Sequence, residues 1–167
     1  MSTRDRTILG VVCLVAVVLA PYLLTALMTA PGRLVYLSSG MHRGGDPSTE
    51  DLQWSRRRWQ GVQAYSDSKL WDTVLAFAVA RLHPELRSNA VDPGWVPTKM
   101  GGAGAPGDLD RGDETQAWLA VSDDPAAQAS GRLFYHLRPI EASPAASDIG
   151  VQERLLDACR TLTGESI

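Results

Sequence analysis

The sequence predicts an α/β protein built on a parallel sheet of about three strands with helices on its faces. Three short strand-like runs, residues 34–37, 88–91 and 131–136, alternate with segments of helical periodicity. Each of the first two ends in turn-forming residues, Ser38-Ser39-Gly40 and Asp92-Pro93-Gly94. Strands separated by helices pair in parallel through crossovers that cover the sheet.

In chain order, the run from Ile8 to Met28 carries no charge and is about long enough to cross a bilayer. Two readings stand for this 1–30 segment: a membrane anchor, or a crossover helix with Leu19, Leu23, Leu24 and Leu27 at helical spacing before a Pro31-Gly32 stop. Residues 31–167 form the remainder of the domain. Leu34-Val35-Tyr36-Leu37 is a buried strand, followed by a polar loop rich in glycine. Leu70, Val74, Phe77 and Leu82 mark a helix over residues 63–82, which Pro84 closes before the next strand. A Gly/Pro-rich loop covers residues 93–111, a short helix 113–121, a third strand 131–136 and a loose segment 139–147. The final helix, 151–162, gathers Leu155, Leu156, Cys159 and Leu162 on one side.

Composition narrows the function. A net charge of -3 gives no general attraction to nucleic acid. The one basic cluster, Arg56-Arg57-Arg58, reads as a solvated face beside inward-turned Trp54 and Trp59. Cys13 and Cys159 form no CxxC pair, and His42, His83 and His136 are scattered, so neither a disulfide framework nor a metal site is expected, and a reducing cytoplasm fits.

The chemistry lies in Tyr65-Ser66-Asp67-Ser68-Lys69. Residues four apart share a helix face, so the lysine ammonium stands beside the tyrosine hydroxyl and favours its ionised form. A hydroxyl from the neighbouring strand end, Ser38 or Ser39, can hold a carbonyl in line with that phenol. Gly102-Ala103-Gly104-Ala105-Pro106-Gly107 matches GxGxxG, but no strand leads into it, Pro106 lacks a donor, and Asp108 and Asp110 repel phosphate, so it reads as a loop.

In this order the residues resemble the short-chain dehydrogenase/reductase family, within it the retinol dehydrogenase-like and protochlorophyllide reductase-like subgroup. The segments RLVYLSSGMHRGGDPSTEDLQW, AYSDSKLWDTVLAFAVARL and NAVDPGWVPTKMGG look like its successive blocks, and the likeness runs from about residue 19 to 162. The resemblance implies a partial Rossmann-like, doubly wound parallel sheet with its N-terminal strands missing, since residues 1–33 hold no TGxxxGxG phosphate loop. It implies NAD or NADP as cofactor, a small hydrophobic carbonyl or alcohol as substrate, and pairing into a homo-oligomer. By it, Ser39 orients the carbonyl, Tyr65 is the acid/base, and Lys69 binds the nicotinamide ribose and lowers the tyrosine pKa. Pro93, Gly94, Val96 and Thr98 lie along the nicotinamide, and Val17 stands where the family places an asparagine. The expected function is NAD(P)-dependent carbonyl–alcohol interconversion; the alternative is a non-catalytic remnant or membrane-tethered interaction protein.

Overall fold

The computed structural model describes residues 14–29 and 31–167. A π-helical stretch, Leu14–Leu19, runs into α1 (Ala20–Leu27). Then follow β1 (Arg33–Leu37), a 3₁₀ turn (Gly40–Gly44), α2 (Gly61–Leu82) and β2 (Arg87–Asp92). A second 3₁₀ turn (Leu109–Arg111) precedes α3 (Glu114–Val121), β3 (Leu133–Tyr135), β4 (Arg138–Ile140), α4 (Pro144–Ser147) and α5 (Ile149–Thr163). The sheet order is β1-β2-β3-β4. β1 and β2 are parallel with Tyr36 opposite Ala90, β2 and β3 are parallel with Val91 opposite Phe134, and β4 returns antiparallel to β3.

Alternation along β1 divides the core. Leu34 and Tyr36 point to the face covered by α1, α2 and α5, where Tyr22, Leu70, Val74, Leu75, Val79, Leu133 and Leu155 pack together. Val35 points to the other face, where Val91, Phe134 and Leu119 of α3 meet. Helix α2 is the centre of the larger cluster. Each of its fully buried leucines stabilises by about 1.5–3 kcal/mol relative to exposure. The helix stops at His83, whose backbone (φ -125°, ψ 73°) has left the helical region ahead of Pro84. On α5, the Asp148 carboxylate accepts from Val151 N at 3.0 Å, and Gly164, at φ 79°, closes the other end in the left-handed conformation. Arg33 donates to the carbonyls of Leu119 and Ser122 at the C-terminal end of α3, fastening that helix to β1.

The structure corrects three expectations. The segment after the third strand is not loose from its start, because Arg138–Ile140 is a fourth strand. Its hairpin turns at His136 and Leu137, both at positive φ (47° and 63°). Such turns are ordinarily signalled by Asn-Gly or Gly-Gly, and this one carries neither. Second, the buried residues of this segment are Val18 of the π-helical stretch and Tyr22 of α1, whereas Leu24 and Leu27 are exposed. Tyr22 Oη donates to the Glu165 carbonyl, and Thr25 is bonded to Tyr36, so polar anchors turned the helix. Third, the arginine tract is not uniformly solvated. Arg57 stacks over Trp54 at 3.7 Å from the ring centroid and pairs with Asp67 at 2.7 Å, with Asp46 and Asp51 alongside. Of the two readings of the apolar run, neither is overturned: no helix among the described residues is long and apolar enough to cross a membrane. Residues 8–13 of the apolar run lie outside the described residues.

The loop after β1 lies directly on α2. A Cβ built on Gly45 would stand 2.6 Å from Leu70 Cβ and 2.8 Å from the Ser66 carbonyl oxygen, whereas one on Gly44 meets nothing nearer than 3.9 Å. Gly45→Ala therefore drives the loop off the helix and lowers stability by about 1–3 kcal/mol in denaturant unfolding, while Gly44→Ala is near neutral.

Candidate active site

In parallel strands the carboxyl ends lie at one edge of the sheet, and there open α/β sheets bind ligands. At that edge β1 gives way to Ser38-Ser39 and β2 to Asp92-Pro93-Gly94. The two exits adjoin. Ser38 N donates to the Val91 carbonyl at 2.7 Å, and a Cβ on Gly40 would lie 3.2 Å from Asp92 Oδ2.

The two serines part company. Ser38 is buried, with its Oγ 2.7 Å from Thr73 Oγ1, and Thr73 in turn donates to the Lys69 carbonyl at 2.8 Å. It clamps the strand end to α2. Ser39 is half-buried at the mouth, and its Oγ accepts from Met41 N at 3.3 Å, capping the 3₁₀ turn. Alternation in an extended segment puts adjacent side chains on opposite sides, so only Ser39 keeps a hydroxyl at the opening.

Lys69 comes to the same edge from α2. Its ammonium donates to the carbonyl of Leu37, the last residue of β1, at 2.7 Å and to Asp72 Oδ2 at 3.0 Å. An ammonium has three N–H groups, so these bonds leave one. Tyr65 lies one turn before Lys69, half-buried, with its ring centroid 5.9 Å from the ammonium. The four-residue spacing thus places the lysine ammonium over the side of α2 that carries the Tyr65 ring. Asp72 carries no signal at that spacing, yet its carboxyl, 3 % exposed, is pushed up to about 7 by burial, against the opposing pull of Lys69.

On the β2 side, Asp92 Oδ1 accepts from Gly94 N at 2.9 Å, and Gly94 takes φ 82° over the Tyr135 ring. A side chain there would be strained, so glycine sits where the chain leaves the sheet. Pro93 is half-buried beside it. Val96 and Thr98 belong to the loop beyond. Val96 packs against Gly107 and Gly112, and Thr98 Oγ1 accepts from Gly101 N at 3.1 Å. In the GxGxxG stretch Gly102 takes φ 77°, and Gly107 is packed against backbone, as is the neighbouring Gly101. A Cβ on Gly107 would lie 2.6 Å from the Trp95 carbonyl oxygen, and one on the adjacent Gly101 would lie 2.0 Å from that of Val96. The stretch is a tightly folded turn.

His42 escaped the motif reading. It is fully buried, its Nε2 accepts from Ser143 N at 3.0 Å, and its Nδ1 therefore carries the proton donated to the Ser39 carbonyl at 2.7 Å. Burial lowers its pKa. Only the fold reveals this role, because Ser143 is distant in sequence. A cleft of about 370 Å³ lies elsewhere, between residues 49–55 and the end of α5. The edge site has one wall among the described residues, since β1 is the outermost strand of the sheet.

The chain is 35% identical over 150 residues to the short-chain dehydrogenase chry4 of Gibberella zeae, covering 87% of this chain and 57% of that protein. It is 40% identical over 152 residues to the uncharacterized oxidoreductase AN7799 of Emericella nidulans, covering 89% and 57%. Human retinol dehydrogenase 13 is 29% identical over 172 residues, covering 87% and 52%. A crystal structure of an uncharacterized protein from Mycobacterium paratuberculosis superposes with a TM-score of 0.65 at 28% identity, covering 80% of this chain and 51% of that one. No family model matches. The chain belongs to the short-chain dehydrogenase/reductase family, and it spans little more than half the length of the curated relatives it matches.

The His42 geometry makes stability depend on pH. Its folded pKa lies below the ordinary 6.5, so as pH falls through that value the unfolded chain takes up a proton that the folded one refuses. Stability present above pH 6.5 is lost below it. In His42→Gln, denaturant unfolding across this range shows a shallower loss than the wild type.

Proposed function

We propose that this chain carries the proton-transfer half of an NAD(P)-dependent oxidoreductase that interconverts a carbonyl and an alcohol. The observation that carries the reading is the placement of Lys69 on the Leu37 carbonyl, with Tyr65 one turn away and Ser39 at the exit of the same strand. Donor, charge and hydrogen-bonding hydroxyl thus converge on one sheet edge. In reduction the Tyr65 phenol gives its proton to the carbonyl oxygen, Ser39 Oγ holds that oxygen by a hydrogen bond, and the Lys69 charge offsets the phenolate left behind. Oxidation of the alcohol runs the same transfers in reverse.

The nicotinamide end of a dinucleotide fits the residues present. The remaining N–H of Lys69 suits a ribose hydroxyl, and the Asp92-Pro93-Gly94 turn gives a bare backbone wall beside it. When bound, the cofactor supplies or accepts the hydride. The pyrophosphate end finds no glycine-rich strand-to-helix turn among the described residues, because no strand leads directly into the GxGxxG stretch and its Gly107 is packed against the Trp95 carbonyl. Phosphate recognition thus falls to residues other than those described. The substrate is a small hydrophobic carbonyl or alcohol, in keeping with exposed Trp95, Met100 and Leu109 on the loop beyond β2. A cytoplasmic location and self-association through the unpaired edge of β1 go with this reading; nucleic acid does not.

A non-catalytic role is the second reading, and the lack of a phosphate turn among the described residues favours it for this chain by itself. Titration with NAD and NADP separates the two, since saturable binding supports the enzyme and its absence from the natural gene product supports the remnant. In that product Tyr65→Phe lowers turnover by about 10²- to 10⁴-fold while cofactor affinity is kept. Turnover at the wild-type rate removes Tyr65 from its role.

A further inference from the structure

The group unexplained by the proton-transfer scheme is Asp72. It lies on α2 one turn beyond Lys69, is almost wholly buried, and uses only one of its oxygens. Oδ2 accepts from the Lys69 ammonium at 3.0 Å, and Oδ1 is buried with no hydrogen-bond partner. A structural ion pair would satisfy both oxygens, because an ionised carboxylate offers about four acceptor sites and pays heavily for each left empty. A neutral carboxyl leaves far less unsatisfied. The surroundings therefore hold this group between its two charge states.

We propose that Asp72 is a positioning residue for the Tyr65–Lys69 pair: its carboxyl holds the lysine ammonium against the Leu37 carbonyl, and its protonation sets how much of the lysine's charge reaches Tyr65. This rests on the roles assigned above to Tyr65 and Lys69. With Asp72 ionised, the pair is neutral overall and the Tyr65 ring, its centroid 5.9 Å from the ammonium, feels a largely cancelled field. With Asp72 protonated, the ammonium stands alone and its full charge faces that ring. The titratable groups facing Asp72 are Lys69 on its own helix and Tyr36 on β1. The Tyr36 phenol, bonded to Thr25 of α1, is pushed up to about 12 by burial first and by Asp72 in addition. Tyr36 is thus neutral wherever Asp72 titrates, and Lys69 is left as the partner whose charge matters.

Carbon-13 NMR of this chain, titrated through neutral pH, reads the arrangement without cofactor or turnover. In the wild type the Asp72 carboxyl carbon moves with a midpoint near 7, and the Leu37 carbonyl and Tyr65 ring resonances follow the same midpoint. In Asp72→Asn, which keeps shape and an acceptor oxygen, the Leu37 and Tyr65 responses at that midpoint are lost. In Lys69→Met the Asp72 midpoint rises and the Tyr65 response is again lost. A carboxyl carbon that titrates in the ordinary range near 4, or Leu37 and Tyr65 resonances that stay still while it titrates, overturns the proposal. The wild-type titration needs no variant to fold. Because it needs no turnover either, its failure is distinct from failure of the enzymatic reading, which the Tyr65→Phe turnover assay tests separately.

Discussion

Helix α2 is fastened to the carboxyl end of β1 from both directions. The Lys69 ammonium reaches the last strand carbonyl, Leu37, and Ser38 reaches back to Thr73 on the helix. These bonds are made at the end of an apolar interface in which α2 buries Leu70, Val74, Leu75 and Val79 against the sheet and α5. Packing fixes where the helix lies, and the polar clasp fixes its rotation and its height along the strand. A slide by one residue would turn Tyr65 and Lys69 about 100° away from the edge and part the buried Ser38 hydroxyl from Thr73.

Once that interface is set, the loops have little freedom. The turn after Ser39 lies on α2 through Gly45, where a single methyl group cannot be fitted. His42 holds it from below by bonding both the Ser39 carbonyl and the Ser143 amide. The next stretch is tied down by Arg57, which stacks on Trp54 and pairs with Asp67 of α2. Thus the serine, tyrosine and lysine of the site rest on one rigid body, as proton transfer at a fixed oxygen demands.

The same rigidity explains an apparent extravagance. Lys69, Asp72, Asp67 and His42 all have little exposure, and each costs free energy to bury. Asp67 recovers it through Arg57, Gln63 and the Asp46 amide, and His42 through two backbone bonds. Asp72 recovers only half, through Lys69. Burial raises its pKa accordingly, beside the residues proposed to carry the chemistry.

Much of this was legible in the sequence because it is local. Alternating strand and helix patterns dictated the parallel sheet, Pro84 dictated the end of α2, and four-residue spacing put Tyr65 beside Lys69. What required the tertiary structure is what joins distant segments. The hairpin at His136-Leu137 forms without glycine because β3 and β4 hold it. Tyr22 and Thr25, rather than the leucines, orient α1 because Glu165 and Tyr36 are there to bond them. Ser38 and Ser39 are identical in composition and divided in role only because one side of an extended strand end faces α2 and the other faces the opening. Periodicity reports which face of an element is apolar; which polar group finds a partner across the fold is decided by folding itself.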